Sequence, residues 1–394
     1  MWARAAAVSL VIAMSGCGPA PLERSSTPRQ ISASGKGAYE AALASRYLRG
    51  DGFVAAWYDT RDGNAEIYMR LLADNGAPAS PERRLTFGPE ESYEPSIELV
   101  GPNDVAVAWY DKAPDGRLTA KLGLWSLDGV NRWTTTIAAP GRNPVISSFG
   151  GIFSAWIAPG PDETEWVWAQ YRSIDDGSAI GPPRPVGRAG KTTWNLNSLA
   201  YDFMTALVAF DATAGTKADE VFVALVSPSN IELRRVTEDD GVPSKYPDVA
   251  GIGLLALTWY DERDGNKEIY LLAAGFDEIR QRKFVVPPRR VTATRGESIG
   301  AYVAWDSRPV RSEEQRIGLA WSDDTNGQHE IYFQQFDWGA RPLFPAKRIT
   351  RNGTSSLIPA IDAWRDGFAL AWNEYSPAAE GHAGTSEIFS AIVR

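Results

Sequence analysis

The sequence predicts an all-β chain, a seven-bladed β-propeller closed by an N-terminal strand that completes the last blade. Three observations predict it. The twelve residues 57–68, WYDTRDGNAEIY, return almost unchanged at 259–270 as WYDERDGNKEIY. An apolar run ending in an aromatic recurs at Trp57, Trp109, Trp156, Phe210, Trp259, Trp321 and Trp372, with spacings of 52, 47, 54, 49, 62 and 51 residues. A second landmark follows the anchors as RRLT (83–86), RRVT (234–237), RRVT (289–292) and KRIT (347–350), with weaker forms TTTI (134–137) and RPVG (184–187). Units of this size cannot bury a core alone and do so by stacking.

Each unit reads as four strands: one after a turn, as in PSIEL (95–99), one ending in the anchor, one beginning at EIY, and a short outer one at the RRLT landmark. The residue before each anchor is small: Ala56, Ala108, Ala155, Ala209, Thr258, Ala320 and Ala371. Alternate side chains of a strand face opposite ways, so Val105, Val107 and Trp109 form one face and Ala106 and Ala108 the other. A bulky face against a small one suits sheets stacked face to face. Composition agrees: 15 Trp, 14 Tyr and 14 Phe supply strand formers, and 36 Gly with 26 Pro supply turns. Helical periodicity is absent after the first twenty residues. The last unit stops at EIFSAIVR without an outer strand, and the missing piece stands before the first unit as RQIS (29–32). A ring closed this way leaves no open sheet edge. The longest departure from period, DSRPVRSEEQR (306–316), falls between the first and second strands of blade six and is expected at the bottom rim as a partner contact or a drifting loop.

The net charge of −9 and pI of about 5.0 exclude the clustered cations that nucleic-acid binding needs. Cys17 is the single cysteine, so no intramolecular disulfide and no thiolate cluster can form. Residues 1–16, MWARAAAVSLVIAMSG, place Arg4 before an apolar run too short to span a bilayer, the pattern of an export signal. The end, MSGC, resembles a bacterial lipobox, with Met14 where Leu is usual. That resemblance implies diacylglycerol on Cys17, and Gly18 after it implies the outer membrane. Residues 17–28 are then the lipidated cysteine and a polar tether, and 29–394 the propeller. Membrane contact is expected through the lipid anchor only, and the chain is expected to be a monomer.

The loops joining second to third strands share one rim, here called the top. Asp-Gly-Asn in DTRDGNA is a tight-hairpin signal. The repeated stretches resemble bacterial sialidase-like or BNR-type propeller repeats, in which such a stretch precedes an Asp-box, S-x-D-x-G-x-T-W. The box is eroded here: Ser173, Asp175 and Gly177 match, as do Ser126, Asp128 and Trp133, while Asp74/Gly76 and Asp337/Gly339 keep only D-x-G. The resemblance covers roughly residues 29–394 and specifies architecture better than activity. Sialidases of this type also carry an arginine triad, a Tyr–Glu nucleophile pair, an Asp acid, an Arg-Ile-Pro near the start and six blades. This chain has SRYLRG there and counts seven.

Candidate binding residues lie on the top rim: Asp59, Asp111, Asp261, Asp323 and Glu374, each two places after its anchor, with Arg61, Glu66, Arg263, Glu268 and Glu330 in the loops that follow. The carboxylates read as hairpin caps that Asn would replace. The oxygen-rich loops also suit Ca²⁺, although their spacing differs from that of known calcium loops. Otherwise no cofactor and no metal are expected, and no catalytic residue is assigned. Arg61 and Arg263 read as partners of those carboxylates or as contacts for an anionic ligand. His329 and His382, both in hairpin loops, do not make a zinc site or a Ser-His-Asp arrangement. The expected function is a non-enzymatic platform binding an envelope protein or glycan. The alternative is a sialidase-like, glycan-acting hydrolase or lyase with its site on the top rim.

Overall fold

The computed structural model describes residues 25–46, 52–190, 193, 195–213, 215–306, 315–364, 367–377 and 384–394. They form seven four-stranded antiparallel sheets. Blade 1 holds β2 (Ala38–Ser45), β3 (Phe53–Asp59), β4 (Glu66–Leu72) and β5 (Arg83–Arg84), and blade 2 holds β6 (Glu91–Val100), β7 (Asp104–Lys112), β8 (Leu118–Ser126) and β9 (Asn131–Ala138). Blades 3 to 6 repeat that order, from β10 (Arg142–Ser148) to β25 (Lys347–Arg348). Blade 7 takes β26 (Ser355–Trp364), β27 (Gly367–Ser376) and β28 (Thr385–Val393) from the end of the chain and β1 (Arg29–Gln30) from its start. Arg29 lies opposite Ser390 and Gln30 opposite Phe389, as RQIS predicts. The edge reaches back to Ser26, whose N–H donates to the Ile392 carbonyl at 2.7 Å.

All seven anchors sit in the second strand of a blade and are at most 3 % exposed. Each faces the small residues of the blade before it. Ala56 shares a core cluster with Trp109, Ala108 with Trp156, Ala155 with Phe210 and Ala209 with Trp259. The series continues through Ala320 with Trp372 and closes with Ala371 against Trp57. The core is therefore seven inter-blade layers joined in a circle. Within a blade the anchor pairs with the aromatic of EIY: Trp57, Trp259 and Trp321 lie opposite Tyr68, Tyr270 and Tyr332, with ring centroids 6.4, 6.0 and 5.9 Å apart. Such pairs add about 0.5–1.5 kcal/mol beyond area burial. The DG and NG hairpins turn at Gly63, Gly265 and Gly327, with φ of 101°, 93° and 91°, a region that costs glycine little.

Two features depart from the sequence reading. A short helix, α1 (Phe276–Gln281), follows β20 (Glu268–Gly275) and buries Phe276 and Ile279 against the layer between blades 4 and 5. Six residues are too few to show helical periodicity. The stretch 306–316 does connect β22 (Ser298–Asp306) to β23 (Arg316–Asp323), but residues 307–314 lie outside the described ones. The expected export signal and Cys17 lie there too. Among the described residues no helix is long and apolar enough to cross a membrane. The eroded Asp-boxes form hairpins at the rim opposite the top: Asp337 Oδ1 accepts the N–H groups of Gly339 and Arg341 at 2.9 and 2.8 Å, and Ser126 Oγ accepts that of Val130 at 3.0 Å.

Candidate functional site

The rim carboxylates end their strands pointing inward. Asp59 is fully buried and accepts the Trp57 indole N–H at 3.2 Å, the Ser34 hydroxyl at 2.7 Å and the Arg61 N–H at 2.9 Å. Asp111 accepts from Trp109 and Ser92, Asp261 from Trp259 and Ser244, and Glu374 from Trp372 and Ser356, at 2.7–3.2 Å. Asp323 accepts the Ser298 hydroxyl at 2.8 Å and the Thr325 N–H at 2.9 Å. Arg61 and Arg263 turn back onto the same carboxylates: Arg61 Nη2 is 2.5 Å from Asp59, and Arg263 Nη2 is 2.6 Å from Asp261. Burial is the largest single influence and works to raise the Asp59 and Asp261 carboxyls, but the hydrogen bonds from these arginines and from Ser34 and Ser244, with the arginine charge, together outweigh it and hold both below the ordinary range.

The glutamates of EIY meet the RRLT landmark. Glu66 accepts the Thr86 hydroxyl and Arg84 Nη2, both at 2.5 Å. Glu268 accepts from Thr292 and from Arg290 Nη2, and Glu330 from Thr350 and Arg348. Asp62, the other acidic residue of the first loop, accepts from Tyr68 and Arg84. The oxygens expected for Ca²⁺ thus face separate donors, and among the described residues no three His, Cys, Asp or Glu groups converge to hold a metal ion. Blade 4 breaks the pattern. Glu220 accepts from Thr237, but Arg235 pairs with Asp239 at 3.5 Å, and Glu220 Oε1 is left without a partner. Burial pushes the Glu220 carboxyl up to about 7.

The inner strands build a different site. They enclose a cavity of about 910 Å³ along the ring axis, lined from all seven blades. In six of the seven, pairing with the second strand passes over two inner residues against one, the anchor aromatic, as between Tyr39 and Ala42 or Tyr93 and Ser96. The skipped positions hold Glu40, Glu94, Asn143, Tyr246 and Ile358 at φ of 47–55°. A bulge of this kind re-aims a side chain, and left-handed backbone at non-glycine residues persists only where the surroundings hold it. The stitching is visible: the Glu40 N–H donates to Asn373 Oδ1 at 3.0 Å, Asn143 Nδ2 donates to Glu94, and the Val303 N–H donates to Asp248 Oδ2 at 2.7 Å, each across two blades.

The lining is acidic. Glu40, Glu94, Glu98, Asp248 and Asp362 face one cation, Lys267, with no Arg or His among the described lining residues. Burial raises Glu40 and Glu94, and each carboxyl disfavours ionisation of the other. Burial, and then Asp362, pushes Glu98 up to about 8, and burial pushes Asp248 up to about 7. Above them at the top end runs a train of tyrosines, Tyr375, Tyr39, Tyr58, Tyr93 and Tyr110, with successive ring centroids 6.0, 5.1, 5.1 and 5.7 Å apart. The Tyr110 hydroxyl lies 3.3 Å from Glu94. The sequence reading placed its candidates on the rim and missed this cavity. The tyrosines of the three WYD stretches carried a signal, but the bulged residues, of five different types with Gly300, carried none.

No family model matches the chain, and no curated protein matches it. Among solved structures the chain is similar to a protein of unknown function from Dyadobacter fermentans, at 12 % identity over 95 % of this chain and 100 % of that one, with a TM-score of 0.55. It is also similar to the β-propeller domain of the Trilobed protease from Pyrococcus furiosus, at 10 % identity over 89 % of this chain and 95 % of that one, TM-score 0.48. A third is the acylaminoacyl peptidase of Pyrococcus horikoshii, at 10 % identity over 89 % of this chain but 51 % of that one, TM-score 0.49. At these identities the likeness is one of fold: the chain is a seven-bladed β-propeller.

Proposed function

We propose that this chain is a non-enzymatic binding propeller of the bacterial cell envelope, anchored by lipid on Cys17, whose ligand enters the central cavity from the top. The carrying observation is the contrast between the two sets of residues. The rim carboxylates and arginines are engaged inside their blades, while the inner strands converge on an open, acidic, tyrosine-bordered cavity. Concave sites with a few convergent polar groups are where ligands bind. Carboxylates that accept hydroxyl hydrogen bonds, beside aromatic rings, favour a hydroxyl-rich glycan over an acidic one. A kinship with BNR-type propellers is proposed on the eroded boxes, but a sialidase needs arginines for its substrate carboxylate, and the described lining has none.

One observation favours the alternative, a glycan-acting hydrolase or lyase: Glu40 and Glu94 are two buried carboxyls whose charges oppose each other's ionisation, beside the Tyr110 hydroxyl, and acid–base chemistry uses such pairs. A single experiment separates the readings. The purified protein is screened against envelope glycans for binding and for released product, alongside Glu94→Gln. Binding that weakens at least tenfold in the variant with no product from either protein supports the platform. Product formed by the wild type and lost in Glu94→Gln establishes the enzyme.

A further inference from the structure

The large apolar side chains left exposed are not spread evenly. Phe87 lies at the top, in the connection after β5. Among the described residues the other six, Val130, Phe149, Ile180, Phe203, Val285 and Trp338, all lie at or beside connections between first and second or third and fourth strands, which means the bottom rim. Four residues of blades 3 and 4 make a contiguous patch. Phe149 and Phe203, 56 % and 65 % exposed, meet edge to face at 6.1 Å. The Met204 N–H donates to the Phe149 carbonyl at 3.1 Å, joining the two turns. A Cβ placed on Gly151 between them would lie 3.3 Å from the Met204 sulfur and 3.9 Å from Ile180. Scattered apolar residues need no explanation, but clustered aromatics on one face do.

The chain enters the fold at the same rim. Ser25 bridges Val393 at the bottom end of β28 in blade 7. Eight residue steps lead from Cys17 to Ser25, a reach of at most about 28 Å at roughly 3.5 Å per step. In a ring of seven, the position opposite blade 7 lies between blades 3 and 4, where the patch sits.

We infer that the bottom face is a membrane-docking face, with Phe149, Ile180, Phe203 and Met204 seated at the lipid interface diametrically opposite the tether. The inference rests on the lipid-anchor reading of Cys17 for what covers the face. A tethered disc with one attachment tilts freely, and a second, weak contact lays it flat because the tether keeps that contact at high effective concentration. Aromatic side chains suit the interfacial depth. Exposed Asp202 next to Phe203 makes the contact apolar rather than a matter of anionic lipid.

The test places one thiol-reactive fluorophore on Ile180→Cys or on Phe87→Cys in the acylated full-length protein, reconstituted into phosphatidylcholine–phosphatidylethanolamine vesicles that carry a lipid-borne quencher. The expected result is quenching at least threefold stronger at 180 than at 87, falling to the level of 87 when Phe149→Ser and Phe203→Ser are added. Equal quenching at both positions, or none at 180 while mass spectrometry shows diacylglycerol on Cys17, overturns the docking face and leaves the anchor standing. If Cys17 carries no lipid, the anchor reading fails by itself. The same probes in a Cys17→Ser background, mixed with vesicles, then decide the face, and absence of quenching at 180 overturns it. A dimer in solution that Phe149→Ser and Phe203→Ser dissociate assigns the patch to a second copy instead.

Discussion

The Thr86 hydroxyl donates to the buried Glu66 carboxylate at 2.5 Å, joining the start of one strand to the end of the next across twenty residues of sequence. This bond is the physical reason that the EIY and RRLT landmarks recur together. It ties the outer strand, only two residues of regular pairing in blade 1, to the body of the blade. Replacing Thr86 with Val keeps the shape and removes the donor, leaving a buried carboxylate oxygen without that partner. The expected cost is about 2 kcal/mol, read from the midpoint of chemical denaturation. An unchanged midpoint would show that Arg84 and Asn64, the other donors to Glu66, hold the latch without it.

Asp59 is more than a hairpin cap. Asn would still accept the Arg61 N–H, but it would turn an amide toward the Trp57 and Arg61 donors and remove the charge opposite a partly buried guanidinium. Asp59→Asn is therefore expected to lose about 3 kcal/mol, against the near-neutral change that a plain cap would give. Added Ca²⁺ should leave the wild-type melting temperature unchanged. A calcium-dependent rise that the variant loses would instead establish these loops as a metal site.

In blade 4, Glu220 keeps the threonine of the latch without the arginine. Its folded carboxyl sits at about 7, above its unfolded value, so its protonated form is favoured in the fold. The associated stability is fully present below about 4.5 and is lost as pH rises through 7. Glu220→Gln should raise the melting temperature at pH 8, by roughly 2 °C for a gain of about 1 kcal/mol, and change it little at pH 5. Thermal scans of both proteins at the two pH values check this, and a variant less stable at pH 8 contradicts it.

The cavity carries the same sign on a larger scale. Glu98 near 8 and Asp248 near 7 both lie above their unfolded values. Stability from these groups is present at low pH and falls as they ionise, so the wild type should melt lower at pH 8.5 than at pH 5.5. Glu98→Gln should flatten that slope and melt above the wild type at pH 8.5. A wild-type melting temperature that rises over this interval rules out the protonated cavity.

Closure of the ring is tested by where the chain starts. A chain starting at residue 28 keeps Arg29, Gln30 and the fully buried Ile31, losing only the Ser25 and Ser26 contacts to β28. A chain starting at residue 37 also loses the Ser32 and Ser34 bonds to Glu387 and uncovers β28. The shorter chain should melt well below the longer one and aggregate through the exposed edge. Equal melting temperatures would refute the closure.

The fold was legible because its signals are local. An apolar run ending in an aromatic that follows a small residue is a strand pattern readable within seven positions, and seven such patterns count the blades. RQIS was legible by subtraction, since the last unit lacked what the first was preceded by. The site was not legible for the opposite reason. Glu40 reaches the axis because its backbone is left-handed, and a glutamate does not announce that. Its neighbours there, Glu94 and Asn373, come from other blades, 54 and 333 positions away in the chain. The rim acids were legible in part: Arg61 beside Asp59 reads from the sequence as its partner, and the fold pairs them, while Trp57 and Ser34 closing over the carboxylate are visible only in the fold.

The seam at blade 7 also has a mechanical meaning. Every other blade is continuous with its neighbours through the backbone, so load entering one is passed along covalent chain. A pull on Ser25 directed along the strand axis meets β1 and the Ser26 contacts, which lie antiparallel along β28, and loads them together, in shear, rather than one bond at a time. The one blade closed by hydrogen bonds between distant parts of the chain, rather than by continuous backbone, is thus the one that such a pull loads directly.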